Sequence, residues 1–417
     1  MIYTVIRRNI TDYIEEVLSD TPVVLLIGAR QTGKSTLVRD LSGEGYQPQY
    51  LTFDDPTLLS FAAENPKAFL ESMQKPVVFD EIQRIPELLV LIKKDVDENR
   101  APGNYMLTGS ANVMVLPMAA DSLVGRMEVI TLLPLSQGEI GGRKEDFIDW
   151  ICGDDLTLPR KIAAESREAL FERILTGGFP EAVRRSSATA RSRWFRSYIM
   201  TMLQRDVREL ANIEGTTDLP RMLSVLAARA GGLVNFAELS RSTGLPQTTL
   251  KRYVALFERL FLIEFLPAYS GNLTKRLTRS PKLYFTDTGI LANLSGITWQ
   301  KIKMGDPASG SLLENFVLGE IRKQLGWNRT HASVFHFRTA SDDEVDILLE
   351  LPGGDVVGIE IKSGASITST AFKGLKVLKN ELGPKFKRGI VLYTGDTSLA
   401  FAEDMFALPI ASLWMER

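Results

Sequence analysis

Cysteine and histidine, the residues that build disulfides and zinc sites, are almost missing from this sequence. Cys152 is its only cysteine, and His331 and His336 are its only histidines. A lone cysteine cannot form a disulfide framework, and these three residues do not supply a tetrahedral Cys/His zinc site. The reactive chemistry of the chain therefore has to come from carboxylates, lysine and Mg²⁺.

Long apolar runs and an excess of charge of one sign are also absent. No apolar run approaches the roughly 18 residues of a membrane span. The N-terminal sequence MIYTVIRRNITDYIEEVL turns acidic where a signal peptide would carry its apolar core. We therefore expect a cytoplasmic protein with no membrane partner. The formal net charge of −2 excludes a histone-like binder, so any contact with nucleic acid must come from a local patch.

The sequence does contain a phosphate-binding motif at a strand–helix junction. Val23–Ile27 is an unbroken apolar run that predicts a buried parallel strand, and G-x-x-x-x-G-K-S and a helix-forming segment follow it. The glycines let backbone N–H groups turn towards phosphates, while Lys34 reaches the β- and γ-phosphates and Ser35 ligates Mg²⁺. The predicted nucleotide-binding residues are Gly28, Ala29, Arg30, Gln31, Thr32, Gly33, Lys34, Ser35 and Thr36. This pattern indicates a P-loop nucleoside triphosphatase.

A second apolar strand ends in two acids that complete the predicted catalytic site. The segment Val77–Glu81 reads Val-Val-Phe-Asp-Glu, a common strand end that becomes specific because a P-loop precedes it. Asp80 would hold the Mg²⁺ bound by Ser35, directly or through water. Glu81 would orient and polarise the water that attacks the γ-phosphate.

Polar residues at the end of a third strand are candidates for sensing the γ-phosphate. The strand Tyr105–Thr108 runs into Gly-Ser-Ala-Asn, and ligands of open α/β sheets lie outside the carboxyl ends of the strands. Ser110 is the predicted sensor, Thr108 and Asn112 are its rivals, and a structural turn is the alternative. Arg126 is a candidate for contacting phosphate in its own or a neighbouring subunit, or is an ordinary surface arginine.

Four motifs carry a resemblance to a known family. They read GARQTGKST, VVFDEIQ, LTGSAN and VGRMEVITLLPLS, and they resemble the AAA+ ATPases of the archaeal-ATPase-like group over most of residues 1–140. The later sequence Gly-Gly-Phe-Pro-Glu at Gly177–Glu181 is similar to a signature of the same proteins. The resemblance implies ATP as the nucleotide, a RecA-like parallel sheet and a ring-like or dimeric homo-oligomer.

Helical periodicity flanks the predicted sheet. Tyr3–Leu18 is expected to form an amphipathic helix ahead of the P-loop, and Ile162–Leu175 and Arg191–Leu210 show helical spacing after a polar, glycine-rich segment. We therefore predict an AAA+ core over residues 1–142 and a helical lid over residues 143–215.

A helix-turn-helix followed by a basic hairpin, a winged helix, is predicted over residues 216–298. Three short helices are expected, with Asn235 capping the second, Gly244 turning the chain and Pro246 opening the third. A strand, a basic loop and the returning strand Lys282–Phe285 would form the wing. The residues expected to contact DNA are Thr248, Thr249, Lys251, Arg252, Lys275, Arg276 and Arg279. Winged helices also dock proteins, so a protein partner stays open as the alternative.

Two alternating strands near the C-terminus predict a hairpin that carries carboxylates. The strands are Glu344–Glu350 and Val356–Lys362, joined by Leu-Pro-Gly-Gly-Asp. If the turn centres on Gly353, Asp346 lies opposite Glu360 on one face, and Lys362 projects from that face. Two carboxylates with a lysine alongside can hold Mg²⁺ and activate water against a phosphodiester. A charged hairpin without metal is the alternative.

The segment from Glu314 to Lys362 resembles the PD-(D/E)XK nuclease superfamily. Carried over residue by residue, Glu314 is the helix acid, Asp346 the metal acid, and Glu360 and Lys362 the E-x-K pair, with Glu314, Asp346 and Glu360 as metal ligands. The proline that names the motif is absent, because Glu344-Val345 stands before Asp346. We predict a nuclease-like domain over residues 299–417, in a superfamily that also contains inactive relatives.

The chain of 417 residues is too long for one core, and the segments predict an α/β multidomain protein: a RecA-like AAA+ core, a helical lid, a winged helix and a nuclease-like α/β domain. The whole sequence resembles ATPases whose C-terminal region is a domain of unknown function. The leading hypothesis is an ATP-hydrolysing AAA+ protein that acts on or with DNA and carries a Mg²⁺-dependent nuclease or its relic. The alternative is an ATP-driven switch whose winged helix and inactive nuclease-like domain dock a protein.

Overall fold

The computed structural model describes residues 5–41, 46–109, 123–158, 165–211, 218–271, 276 and 279–414, without the side chains of residues 205–211. These residues form two compact units. Unit 1 comprises residues 1–135 with Arg259–Phe261, and unit 2 comprises residues 136–258 and 262–417. Within the described ranges, no helix combines the length and the apolar character needed to cross a membrane.

Unit 1 is built around a five-stranded sheet in which every strand pair is parallel. Its strands are β1 (Val23–Ile27), β2 (Gln49–Thr52), β3 (Val77–Asp80), β4 (Tyr105–Thr108) and β5 (Met127–Thr131). They lie in the order β2-β3-β4-β1-β5, so β4 separates the P-loop strand β1 from the acidic strand β3. Because the strands run in one direction, the carboxyl ends of β1, β3 and β4 meet at one edge of the sheet.

The helices of unit 1 pack on this sheet. Among the described residues they are α1 (Thr11–Asp20), α2 (Lys34–Leu41), α3 (Pro56–Glu64), α4 (Pro66–Glu71), α5 (Glu87–Glu98) and the 3₁₀ turn Ile82–Arg84. Strand β1 is buried along its whole length, as expected for a strand covered on both faces. Phe53 stacks on Phe79 with ring centroids 5.7 Å apart, and Phe69 packs against both. The unit therefore has its own aromatic core.

The first helix begins later than the sequence predicts. Helicity was expected from Tyr3, whereas α1 starts at Thr11 and residues 5–8 carry no helix. The side chain of Arg8 is hydrogen bonded to the carbonyl oxygens of Thr32 and Leu133, at 2.9 and 2.7 Å. These contacts anchor the segment against the P-loop, and they involve residues that local periodicity cannot foresee.

Unit 2 contains the remaining helices and strands. Its described α-helices are α6 (Gln137–Ile140), α7 (Phe147–Cys152), α8 (Arg167–Thr176), α9 (Pro180–Val183), α10 (Ala188–Ala211), α11 (Asp218–Ala227), α12 (Phe236–Thr243), α13 (Gln247–Arg259, whose last residue groups with unit 1), α14 (Thr288–Ser295), α15 (Trp299–Lys303), α16 (Ala308–Gln324) and α17 (Lys373–Leu382). Its strands are β6 (Ile263–Leu266), β7 (Lys282–Phe285), β8 (Ser333–Arg338), β9 (Glu344–Glu350), β10 (Val356–Lys362), β11 (Phe386–Tyr393), β12 (Leu399–Ala402) and β13 (Met405–Pro409). Short 3₁₀ turns lie at Ser369–Phe372, Gly383–Lys385 and Ile410–Leu413.

The segment from α11 to β7 has the local features that the sequence predicts. Asn235 accepts hydrogen bonds from two backbone N–H groups at the start of α12, and Gly244 ends that helix with φ of +76°. Strands β6 and β7 form an antiparallel pair, and a single bridge joins Leu233 to Lys282 on the other side of β7. We call this segment, residues 218–285, the helix-hairpin segment. Residues 272–275 and 277–278 of its loop, including Lys275, lie outside the described residues.

The C-terminal part of unit 2 is a six-stranded mixed sheet in the order β12-β13-β11-β10-β9-β8. Strands β9 and β10 are antiparallel, and α17 connects β10 to the parallel strand β11. The register pairs Glu350 with Val356 and Ile347 with Ile359. This confirms the predicted hairpin centred on Gly353. The pairing ends at Ile347 and Ile359, next to Asp346 and Glu360.

Buried polar contacts join parts of unit 2 that are distant in sequence. The backbone N–H of Gln137 donates to Glu320 Oε2 at 2.9 Å, and Asn315 on α16 bonds both the N–H and the carbonyl of Phe285 on β7. In the Gly-Gly-Phe-Pro-Glu signature, the N–H of Gly178 donates to Asp287 Oδ2 at 2.7 Å. Apart from Arg259–Phe261, the predicted lid, winged-helix and nuclease-like segments therefore lie within one compact unit. The finer domain boundaries remain predictions.

Candidate active site

The P-loop backbone depends on glycine. Gly28 and Gly33 have φ of +152° and +99°, in the region that favours glycine. A Cβ on Gly28 would collide with the carbonyl oxygen of Leu132. Gln31 also has a left-handed backbone, with φ of +62°. The loop is thus a constrained turn between β1 and α2 whose shape is set by the backbone.

Lys34, at the first position of α2, is buried against this loop. Its Nζ donates hydrogen bonds to the carbonyl oxygens of Gly28 and Ala29, at 3.0 and 2.9 Å. The hydroxyl of Thr32 also donates to Ala29, at 2.9 Å. The ammonium group therefore lies over the predicted phosphate-binding residues.

The structure brings the two predicted Mg²⁺ ligands of unit 1 together. Ser35 Oγ on α2 donates to Asp80 Oδ1 at the end of β3, at 3.0 Å. Asp80 is only 2% exposed, and its carboxylate accepts two further hydrogen bonds, from Tyr50 at 2.7 Å and from Thr108. A buried carboxylate is stabilised by such donors. The site is therefore a converging set of oxygen atoms from β2, β3, β4 and α2.

Glu81 follows Asp80 in an unusual backbone conformation. Its φ of +62° and ψ of +45° are left-handed, which is costly for a residue with a Cβ. Its backbone N–H donates to Thr108 Oγ1 at 3.2 Å, and its carboxylate accepts a hydrogen bond from the side chain of Gln83. The kink turns the chain into the 3₁₀ helix directly after the strand. Backbone strain of this kind is concentrated at functional sites.

Three residues of this site were not singled out by the sequence analysis. Tyr50 on β2 donates to Asp80, and Arg39 on α2 donates to Tyr50 Oη at 3.1 Å. Burial raises the pKa of Tyr50 to about 12, and its hydrogen bond to Asp80 acts in the same direction. Arg8, the third, holds the P-loop carbonyl of Thr32. These three residues belong to the site through contacts between separate strands and helices, so no local sequence pattern could have identified them.

The sensor candidates fall partly outside the described residues. Ser110 and Asn112 lie in residues 110–122, which the structure does not describe. Thr108, their rival, is fully buried and contacts both Asp80 and the backbone of Glu81. Arg126 forms an ion pair with Asp97 of α5 and donates to the carbonyl of Val124. Thr108 is therefore the candidate that the structure brings to the site.

A second cluster of the predicted residues lies on the β9–β10 hairpin. Asp346 Oδ2 accepts a hydrogen bond from the N–H of Ile361 at 2.9 Å, and Lys362 Nζ donates to Glu360 Oε1 at 2.6 Å. Asp346 and Glu360 are 8% and 7% exposed. Burial raises the pKa of Asp346 well above its usual value, and the nearby carboxylates of Glu314 and Glu360 add to this shift. Burial also raises the pKa of Glu360, although Lys362 opposes it.

A lysine from another strand lies within the predicted metal site. Lys282 of β7 lies among the carboxylates, with its Nζ 2.9 Å from Glu314 Oε1 and 3.8 Å from Asp346 Oδ1. Within the described part of the chain, no group of three or more His, Cys, Asp or Glu side chains is arranged to hold a metal ion. Glu314, Asp346 and Glu360 were predicted to do so. In this structure Glu314 and Asp346 face an ammonium group, and Glu360 faces Lys362.

The helix-hairpin segment also differs from its predicted role at Arg276. This guanidinium forms a bidentate ion pair with Glu350 of β9, at 2.6 and 2.7 Å. It also lies 4.5 Å from the ring centroid of Tyr269 and 4.8 Å from that of Phe335. A guanidinium held in this way is a structural contact and not a free phosphate ligand.

Several of the other residues predicted to contact DNA are exposed in the described part of the chain. Thr248, Lys251 and Arg252 are exposed on the first two turns of α13. Arg279, after the loop, is exposed and donates to the carbonyl of Tyr269 at 3.4 Å.

Comparison with known proteins identifies three matching family models. An AAA domain matches residues 20–141, and two domains of unknown function, DUF8612 and DUF4143, match residues 167–301 and 309–413. The chain is 30% identical over 408 residues to the uncharacterized protein Rv2008c of Mycobacterium tuberculosis, covering 97% of this chain and 83% of that protein. The same values hold for the uncharacterized protein Mb2031c of Mycobacterium bovis. Among solved structures, the Walker-type ATPase PABY2304 of Pyrococcus abyssi aligns with a TM-score of 0.44 and 16% identity, covering 70% of this chain and 96% of that one.

Proposed function

Because this chain belongs to the family of the uncharacterized mycobacterial proteins Rv2008c and Mb2031c and carries an AAA domain, we propose that it binds ATP with Mg²⁺ at the carboxyl edge of the unit 1 sheet and hydrolyses it. The observation that supports this most directly is the 3.0 Å hydrogen bond between Ser35 and Asp80, beside the P-loop lysine. These side chains come from two of the motifs that define P-loop ATPases.

The residues of unit 1 fit a Mg²⁺ ion. Mg²⁺ takes oxygen ligands in proteins, and Ser35 Oγ and Asp80 Oδ1 already converge within hydrogen-bonding distance. Held by Ser35 and Asp80, the ion would supply positive charge that neutralises the charge developing on the phosphates during transfer. Tyr50 and Thr108 orient the Asp80 carboxylate through its two oxygens.

The remaining steps are assigned to side chains of this chain. Lys34 exchanges its loop carbonyls for phosphate oxygens, and the backbone N–H groups of the loop hold the phosphates. Glu81 positions the attacking water and accepts its proton. Thr108 links Asp80 to the backbone of Glu81, so it keeps the metal ligand and the base in a fixed relation.

Two variants test this assignment by separating binding from chemistry. Lys34→Ala should weaken ATP binding, whereas Glu81→Gln should bind ATP and hydrolyse it roughly 10²- to 10⁴-fold more slowly. ATP affinity is measured with a fluorescent analogue and turnover by phosphate release. Lys94→Ala, on the exposed face of α5, is the control and should match the wild type in both. Unchanged turnover in Glu81→Gln would contradict the catalytic role of Glu81.

We further propose that α13 contacts DNA through its exposed N-terminal half. The supporting feature is the exposed set of Thr248, Lys251 and Arg252 at the start of a helix that follows a tight turn. Lys251→Glu should lower DNA affinity and reduce the slope of log K against log salt by about 0.7 to 0.9. Lys301→Glu makes the same charge change at an exposed position of α15 and should leave the slope unchanged.

A second candidate function, an ATP-driven switch that docks a protein, is supported by how unit 2 uses its charges. Arg276 and Lys282 are engaged with Glu350 and Glu314 inside the unit rather than presented to a nucleic acid. If the Lys251→Glu slope equals that of the wild type, this second function replaces DNA contact. The nuclease activity, the homo-oligomer and the cytoplasmic location remain predictions from the sequence.

A further inference from the structure

A buried ammonium group lies at the centre of the acidic cluster in unit 2. Lys282 is 4% exposed, and three carboxylates surround its Nζ: Glu314 at 2.9 Å, Asp346 at 3.8 Å and Glu344 at 4.0 Å. These carboxylates come from α16 and β9, which are separate elements. The lysine therefore lies where they converge.

The cluster needs a positive charge at this point. Unpaired carboxylates are rarely kept ionised in a protein interior, because burial removes their hydration. Lys362 of β10 pairs with Glu360 at 2.6 Å. Lys282 lies within ion-pair distance of both Glu314 and Asp346.

Strand pairing fixes the lysine in place. On β7, Lys282 pairs with Leu266 of β6 and bridges to Leu233 on the opposite side. Tyr284, two residues along the strand and therefore on the same face, donates its hydroxyl hydrogen to Glu314 Oε1. Neighbouring Phe285 is held by both amide atoms of Asn315 on α16. The helix-hairpin segment thus places Lys282 beside Glu314 and Asp346, and Tyr284 beside Glu314.

We propose that Lys282 is the resident cation of this acidic cluster, so that the cluster binds no divalent metal while β7 stays paired between β6 and Leu233. The inference rests on the nuclease-like interpretation of the C-terminal sheet, because that fold implies a metal at Glu314, Asp346 and Glu360. The residues present do not fit a metal in this arrangement. A nuclease-like site of this chain would require Lys282 to leave these carboxylates before they could hold Mg²⁺.

The first test measures Mn²⁺ binding by the nucleotide-free full-length protein, with free Mn²⁺ read by electron paramagnetic resonance. All samples carry Asp80→Asn, which removes the metal ligand of the P-loop. The protein with Lys282 intact should bind no Mn²⁺ that Asp346→Asn abolishes. Lys282→Met, which keeps the length of the side chain and removes its charge, should gain one Mn²⁺ site per chain. That site should be lost again in Lys282→Met combined with Asp346→Asn.

Two results of this titration would overturn the proposal. One is a Mn²⁺ site in the protein with intact Lys282 that Asp346→Asn removes, since lysine and metal would then coexist. The other is a folded Lys282→Met protein that gains no site. DNA cleavage is not a readout, so an inactive nuclease-like domain leaves the result unaffected and is detected separately.

A second measurement uses the wild-type protein and does not depend on whether a variant folds. Lysine acetylation followed by mass spectrometry should label Lys362, whose side chain is 42% exposed, much faster than Lys282. The protection of Lys282 should be the same in MnCl₂ and in chelator. Faster labelling of Lys282 in MnCl₂ would show that the metal displaces it, and would overturn the proposal.

Discussion

Because the backbone of Glu81 is left-handed, two substitutions at this position should reduce catalysis equally but differ in their effect on stability. We compare Glu81→Gly with Glu81→Ala. Both variants remove the carboxylate and its contact with Gln83, so neither can position water, and both should lose roughly 10²- to 10⁴-fold in ATP turnover. They differ in whether residue 81 carries a Cβ at φ of +62°.

The expected difference in stability follows from that angle. The left-handed region costs a residue with a Cβ about 1–2 kcal/mol of conformational free energy, whereas it costs glycine almost nothing. Glycine loses more backbone entropy on folding, which costs about 0.5–1 kcal/mol relative to alanine. Glu81→Gly should therefore be more stable than Glu81→Ala by about 0.5–1 kcal/mol, or by a few degrees in melting temperature for a unit of this size.

The assay is urea unfolding of the full chain, followed through the transition that ATP shifts in the wild type, since that transition reports unit 1. Lys94, exposed in the middle of α5, provides the control. There Lys94→Gly should be less stable than Lys94→Ala by about 1 kcal/mol, because helical backbone favours alanine. The glycine variant should thus be the more stable one at position 81, and the alanine variant the more stable one at position 94. If Glu81→Ala proves as stable as Glu81→Gly or more so, residue 81 is not left-handed in solution.

Three further predictions follow from the contacts in both units. Gly28→Ala should abolish ATP binding, measured by titration with a fluorescent analogue, because its Cβ would meet the backbone of Leu132. Burial raises the pKa of Glu145 from 4.5 to about 7. Between these pH values the folded state binds more protons than the unfolded state, so this group makes the free energy of unfolding fall as pH rises from about 4.5 to about 7. Glu145→Gln should make the free energy of unfolding depend less on pH in this range. If the wild type and the variant show the same dependence on pH, the shift is contradicted. Arg276→Ala should lower the urea midpoint of unit 2 through loss of its ion pair with Glu350, whereas Arg279→Ala should leave the midpoint unchanged.

Local patterns predicted four of the strands at their observed bounds. The bounds of β1, β4, β9 and β10 agree with those read from the sequence, because an apolar run or an alternating run bounded by turn residues carries its own signal. The register of the β9–β10 hairpin also followed from its turn, since a fixed turn centre determines which residues face each other.

The side chains that complete each site could not be predicted in this way. Lys282 reaches Glu314 across 32 positions, and Arg8 reaches Leu133 across 125. Both were visible as basic residues, but only tertiary packing decides which carboxylate or carbonyl they meet. Arg276 shows the same limit in reverse, because a basic residue in a loop was expected to face solvent and instead pairs with Glu350.

The contacts of Asn315 with Phe285 and of Glu314 with Lys282 bear on how such genes can recombine. In each pair, one residue lies in the first domain of unknown function, whose match ends at residue 301, and the other lies in the second, whose match begins at residue 309. The border between the two matches would therefore be an obvious place for genes to recombine. A crossover there between relatives that are 30% identical would combine strand β7 of one parent with helix α16 of the other. We expect such hybrids to be rare in nature, and we expect residues 282 and 314 to be inherited as a pair.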